Sequence, residues 1–130
     1  MADTYTLKKL TDIDDAAPNF GYGDLGEARF ATRHLDAEQT GVSLQRVKPG
    51  RRQPFGPRHE AAEEIYVVLS GSGRAKLDDE IVELGPFDAL RVSPGVMRAF
   101  EADDDGLELL AFGRPLKGDG EIVQGWWSDS

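Results

Sequence analysis

Two histidines, His34 and His59, are all the imidazole in this chain, and it has no cysteine. No thiolate ligand, cysteine nucleophile or disulfide framework is available. His59 sits in the densest polar stretch: after it come four residues, Glu64, six residues and Gly71, and Arg51, Arg52 and Arg58 precede it. An imidazole and a carboxylate so placed suit a divalent metal or an acid–base pair. From a neighbouring strand, His34 would complete a two-His, one-carboxylate set; otherwise it is a surface residue. The three arginines read as a solvated loop, with an anion-attracting rim as the alternative.

Other chemistry-bearing patterns fall away on context. Gly21-Tyr22-Gly23-Asp24-Leu25-Gly26 has the letters of G-x-G-x-x-G, but it follows a polar loop instead of a strand and no βαβ unit surrounds it. No G-x-S-x-G elbow is present, and Ser70 and Ser72 belong to a turn. Asp78-Asp79 and Asp103-Asp104-Asp105 lack the spacing of a calcium loop and read as turn acids.

The elements that must position these residues are short strands. Asp12, Asp14, Asp15, Pro18 and Asn19 make a loop of the N-terminal region, and strands are expected at Ala28–Leu35 and Val42–Val47. Glu64–Leu69 is rich in β-branched and aromatic residues and ends at Gly71-Ser72-Gly73. Arg74–Leu77 and Glu80–Leu84 flank Asp78-Asp79 as a hairpin, and strands follow at Ala89–Val92, Val96–Ala102 and Leu107–Phe112. Helix is short and terminal if present. Many short strands with Gly and Pro punctuation imply a sandwich or barrel.

Alternation along Glu64–Leu69 puts Tyr66 and Val68 on the face of Glu64, and Ile65, Val67 and Leu69 on the other. Tyr66 is then a pocket wall with a polar handle, or a core aromatic. A strand apolar on both faces is buried on both, which points to subunit packing and a homodimer. Trp126 and Trp127 would cap the barrel or join that interface.

Bulk composition narrows the partners. The 130 residues fit one domain, and 39% hydrophobic with 30% charged residues is ordinary for a globular protein. A net charge of −9 and a pI near 4.6 argue against nucleic acid and against anionic membrane surfaces. The first residues lack the apolar run of a signal peptide, and no stretch approaches the roughly 20 apolar residues of a membrane span. The expected location is the cytoplasm.

The stretch from Gly50 to Phe100 resembles the cupin domain, a jelly-roll barrel. That family's first motif is Gly, five residues, His-x-His, three or four residues, Glu, six residues, Gly. In GRRQPFGPRHEAAEEIYVVLSG, residues His59, Glu64 and Gly71 match the second half position for position, the first His falls on Pro57, and the leading Gly is shifted to Gly50. The second motif is Gly, five residues, Pro-x-Gly, two residues, His, three residues, Asn. In FDALRVSPGVMRAFEA, Gly95 aligns, while Phe87, Ser93, Arg98 and Ala102 stand at the Gly, Pro, His and Asn positions.

The resemblance implies an all-β fold, a cupin jelly-roll β-barrel of two antiparallel sheets with little helix. Residues 1–26 would pack on the barrel as a partly looped segment, 27–117 would form the barrel, and 118–130 a tail. It also implies an interior metal tetrad, which here becomes Pro57, His59, Glu64 and Arg98. Only His59 and Glu64 of these can coordinate, and a guanidinium brings a fixed positive charge to the place of the metal. Arg98 is therefore expected inside the barrel, paired with Glu64, with no metal cofactor. The alternative is a divalent first-row transition metal on His59 and Glu64, with His34 as a third ligand. Two functions follow. One is a binding protein for a small, possibly anionic molecule, using His59, Glu64, Tyr66 and Arg98. The other is a metal-dependent isomerase, lyase or dioxygenase on a non-standard site.

Overall fold

The computed structural model describes residues 4–53, 56–58, 62–115 and 121–123, with 56–58 and 121–123 as backbone. Among these, the strands in chain order are β1 Gly26–Phe30, β2 Gly41–Val47, β3 Gly56–Arg58, β4 Glu64–Leu77, β5 Glu80–Leu84, β6 Ala89–Val92, β7 Arg98–Gly113 and β8 Glu121–Val123. One antiparallel sheet runs β1-β2-β7-β4-β5, with β6 also paired to β4, and β3 pairs with β8 as a second sheet. The pairing path of the large sheet ends at β1 and β5 and does not close, yet two antiparallel sheets in this order fit the expected jelly roll. No helix among the described residues is long and apolar enough to cross a membrane.

Two expectations about strand ends are corrected. The glycines after Leu69 do not stop the strand: β4 is 14 residues long and stays paired with the 16-residue β7 through register shifts at Val68/Ser70 and Gly71/Gly73. The reason is steric. A Cβ on Gly71 would lie 1.9 Å from the carbonyl oxygen of Gly106, and one on Gly73 would lie 2.0 Å from that of Glu101. Gly71 also has φ +79°. Bare Cα positions let the two long strands bend together, so glycine here makes a bulge and not a terminus. Asp103, Asp104 and Asp105 accordingly lie within β7, exposed, and do not form a turn.

β1 is shorter than expected, ending at Phe30. The backbone amide of Val42 donates to Thr32 Oγ1 at 3.1 Å, and Leu35 N–H returns to Ala31 O, which curls residues 32–36 into a turn. The Asp78-Asp79 hairpin forms as read, with Leu77 opposite Glu80 and Asp78 at φ 51°.

In the N-terminal segment two 3-10 turns, Leu10–Asp12 and Ala17–Phe20, replace what the sequence suggests is plain loop. Asp15 ties the second to the sheet: its Oδ1 accepts from Ala17 N and Ala28 N, both at 2.9 Å. Ala17, Tyr22 and Ala28 form a small apolar cluster against β1. Burial, and then the charge of Asp15, push the Tyr22 phenol up to about 12.

The main core is separate. It gathers Val47, Tyr66, Val68, Ala75, Leu84, Val92, Phe100, Leu107 and Leu109 with Ala102 and Ala111 of β7. On the outer face the cross-strand rows are Val42–Phe112–Ile65 and Leu44–Leu110–Val67. Phe112 and Ile65 remain 37% and 41% exposed there.

Candidate functional site

Arg98 opens β7 and is fully buried, although a guanidinium is permanently charged. A buried guanidinium needs a carboxylate, and Glu64 at the start of β4 supplies it. Arg98 Nη1 donates to Glu64 Oε1 at 2.7 Å. Tyr66 hydroxyl donates to the same oxygen at 2.6 Å. Arg98 Nη2 reaches the carbonyl of Ser93 at 3.3 Å. Arg98 Nε is buried and has no hydrogen-bond partner among the described residues.

Strand periodicity explains the grouping. Glu64 and Tyr66 are two apart on β4 and point the same way. Tyr66 is buried and its ring lies 4.8 Å from that of Phe100, which is two residues along β7 from Arg98. Burial first, and then the Glu64 charge, raise the Tyr66 phenol far above its ordinary range, with Arg98 opposing. Tyr66 is therefore a neutral donor to Glu64 at any physiological pH. Glu64 leans over Gly113, where a Cβ would stand 3.0 Å from Glu64 Cγ and 3.2 Å from its Oε2.

The structure thus brings together Glu64, Tyr66 and Arg98. His59 lies outside the described residues, as do Trp126 and Trp127. His34 is exposed in the turn after β1 and not in a strand, because β1 ends early. Of the three arginines, Arg51 is exposed, whereas Arg52 is committed to Glu101 at 2.7 Å, which Arg74 also clasps. Burial pushes the Glu101 carboxyl up, but the hydrogen bonds from Arg74 and Arg52 outweigh it and hold it below its usual range.

Sequence reading missed two polar residues on the inner face. Ser43 sits opposite Ala111, which sits opposite Tyr66, and Gln45 is opposite Leu109 and so in line with Val68. Ser43 is buried, and Gln45 Nε2 donates to its Oγ at 3.1 Å. The signal was present: in Val42–Val47 the polar Ser43 and Gln45 alternate with Val42 and Leu44, so the two share one face of β2.

A metal at Glu64 does not fit this arrangement. Glu64 Oε1 carries a guanidinium at 2.7 Å and a phenol at 2.6 Å, and a cation on this carboxylate would sit against a fixed positive charge. Among the described residues no group of three or more His, Asp or Glu gathers.

Comparison with known proteins agrees with the fold. Residues 43–112 match the Cupin domain family model, more than half the chain. No curated protein matches the sequence. Among solved structures, a cupin protein from Bacteroides fragilis is 24% identical, with 90% of this chain and 89% of that one covered and a TM-score of 0.70. A sugar phosphate isomerase of the cupin superfamily from Silicibacter pomeroyi is 15% identical, with 92% of each chain covered and a TM-score of 0.70. A polyketide cyclase from Streptomyces resistomycificus is 19% identical, covering 95% and 87%, with a TM-score of 0.74. At these identities the likeness is one of fold. With the motif order, the strand order and the family match in agreement, the chain belongs to the cupin family.

Proposed function

We propose that this cupin binds a small molecule bearing a carboxylate or enolate oxygen in its interior, without a metal. Arg98 takes the place of the metal as the fixed cation. The observation that carries this is the Arg98 side chain: fully buried, paired with Glu64 through Nη1, and left with an Nε that no described residue satisfies. Buried polar groups are almost always partnered, so an unpaired guanidinium N–H beside a neutral phenol marks a place for an acceptor atom. His59 is the further donor that the family pattern would add.

Elemental analysis before and after soaking with iron, manganese, zinc, nickel and copper, joined to thermal shifts with simple carboxylates, tests this. Metal-free protein stabilised by carboxylates, with the stabilisation lost in Arg98→Ala, is the expected result. Near-stoichiometric metal that survives dialysis, and is lost in His59→Ala, would replace this reading with a second one. That reading is a metal-dependent enzyme of the isomerase, lyase or dioxygenase kind, and it draws support from relatives described as an isomerase and a cyclase.

We further propose that two copies pair through the outer rows of β2, β7 and β4, where Phe112 and Ile65 are incompletely covered. Phe112→Asp should convert a dimer to a monomer in sedimentation; unchanged mass would refute the interface.

A further inference from the structure

A second group of polar side chains stands apart from the Glu64–Tyr66–Arg98 group, on the turn that follows β1. Hydrogen bonds tie this turn on both sides. Val42 N–H donates to Thr32 Oγ1 at 3.1 Å and Leu35 N–H to Ala31 O at 2.9 Å. Asp36 N–H donates to Arg33 O at 3.1 Å and Ala37 N–H to Thr32 O at 3.0 Å. Thr32 seats there because Gly41 faces it: a Cβ on Gly41 would stand 2.7 Å from Thr32 Oγ1. The turn thus presents Arg33 and His34, both exposed, from a backbone that is held in place.

With Phe30, Thr32 and Pro115 these two residues line a depression of about 670 Å³. That lies within the roughly 300–1,000 Å³ of small-molecule sites. None of its lining residues is acidic, in a chain with a net charge of −9. Its donors are also uncommitted. Arg29, Arg46, Arg52, Arg74, Arg91 and Arg98 each meet a carboxylate, whereas Arg33 and His34 meet none among the described residues. Thr32 Oγ1 accepts from Val42 and keeps its own hydroxyl proton to donate. Beside these donors stands an aromatic wall. Phe30 is 48% exposed, and Phe20, 47% exposed, meets it edge-on at 6.4 Å.

We propose that this depression binds a small phosphate monoester carrying a flat ring, with the phosphate at Arg33, His34 and Thr32 and the ring against Phe30. A guanidinium forks onto two phosphate oxygens, and the imidazole and the hydroxyl supply donors for the third. A carboxylate, with two oxygens, uses that set only in part. Phe30 offers the ring a partner, and Phe20 braces Phe30 from its edge. The site shares no residue with the Glu64–Tyr66–Arg98 group and does not rest on it.

Calorimetric titration of the intact chain at low salt with methyl phosphate and with phenyl phosphate tests the proposal. The expected result is that phenyl phosphate binds about tenfold tighter. Phe30→Leu should close that gap and leave methyl phosphate binding unchanged. Arg33→Ala should weaken both esters at least about tenfold. Phe30 and Arg33 are exposed, so both variants keep the fold, and a circular dichroism melt verifies this. Binding that survives Arg33→Ala would overturn the site, and equal affinity for the two esters would overturn the ring. Failure of the unmodified protein to bind either ester would overturn both. A phosphotyrosine peptide that binds tighter than phenyl phosphate would overturn a small ester as the ligand.

Discussion

Arg98 Nη1 and Glu64 Oε1 stand 2.7 Å apart, and the two partners are unequally covered: the Arg98 side chain is 0% exposed and that of Glu64 17%. The asymmetry predicts unequal costs. Glu64→Ala leaves a charge that cannot deprotonate stranded in the core and should destabilise by about 3–5 kcal/mol. Arg98→Met leaves a carboxylate with some access to water and should cost clearly less. The double variant should cost less than the sum of the two single changes. Urea unfolding of the three variants measures this, and additive costs would mean that the pair is not coupled.

The strand bend is a second test. Gly71→Ala puts a Cβ against the Gly106 carbonyl oxygen at a position with φ +79°, and the contact is with backbone that cannot swing away. A loss of roughly 2 kcal/mol or more is expected, from overpacking and positive-φ strain together. Gly50→Ala shares a positive φ of 70° but has nothing within 4 Å, so it reports the strain alone and should cost less. Thermal melts of the two variants decide the matter.

Acid should weaken the molecule partly through Glu101. Its folded carboxyl is held below the ordinary value of 4.5 by Arg74 and Arg52. A depressed folded value means that the ionised form stabilises the fold above the unfolded value, and this contribution is lost as pH falls through the folded one. Glu101→Gln should therefore cost stability at pH 7 and progressively less below pH 4.5. Chemical denaturation of both proteins from pH 7 to pH 3 follows the closing gap. A constant gap would mean that the two arginines do not hold the carboxylate ionised.

The family's metal chemistry should be restorable. Pro57→His with Arg98→His removes the competing cation and returns two imidazoles, to join His59 and Glu64. Micromolar or tighter nickel or zinc binding is expected by calorimetry. Refusal of metal by a folded double variant would mean that the motif positions were wrongly superposed.

The sequence by itself determined the family, the all-β class and the pairing of Arg98 with Glu64. Motif spacing places the two in the interior, and a buried guanidinium must find a carboxylate. It also determined the shared face of Glu64 and Tyr66, since alternation is a local property of one strand. Local signals misread the glycines of β4 and the acids of β7, because whether glycine ends a strand or bends it depends on how closely a partner strand approaches. Only the tertiary structure decided that His34 falls in an exposed turn and that Arg52 is bound to Glu101. The register of β1, β2, β7 and β4 likewise aligns Phe30, Ser43, Ala111 and Tyr66 in one row. Those relationships join residues up to 68 positions apart, as Ser43 and Ala111 are, and no periodicity within a single strand encodes which strands become neighbours.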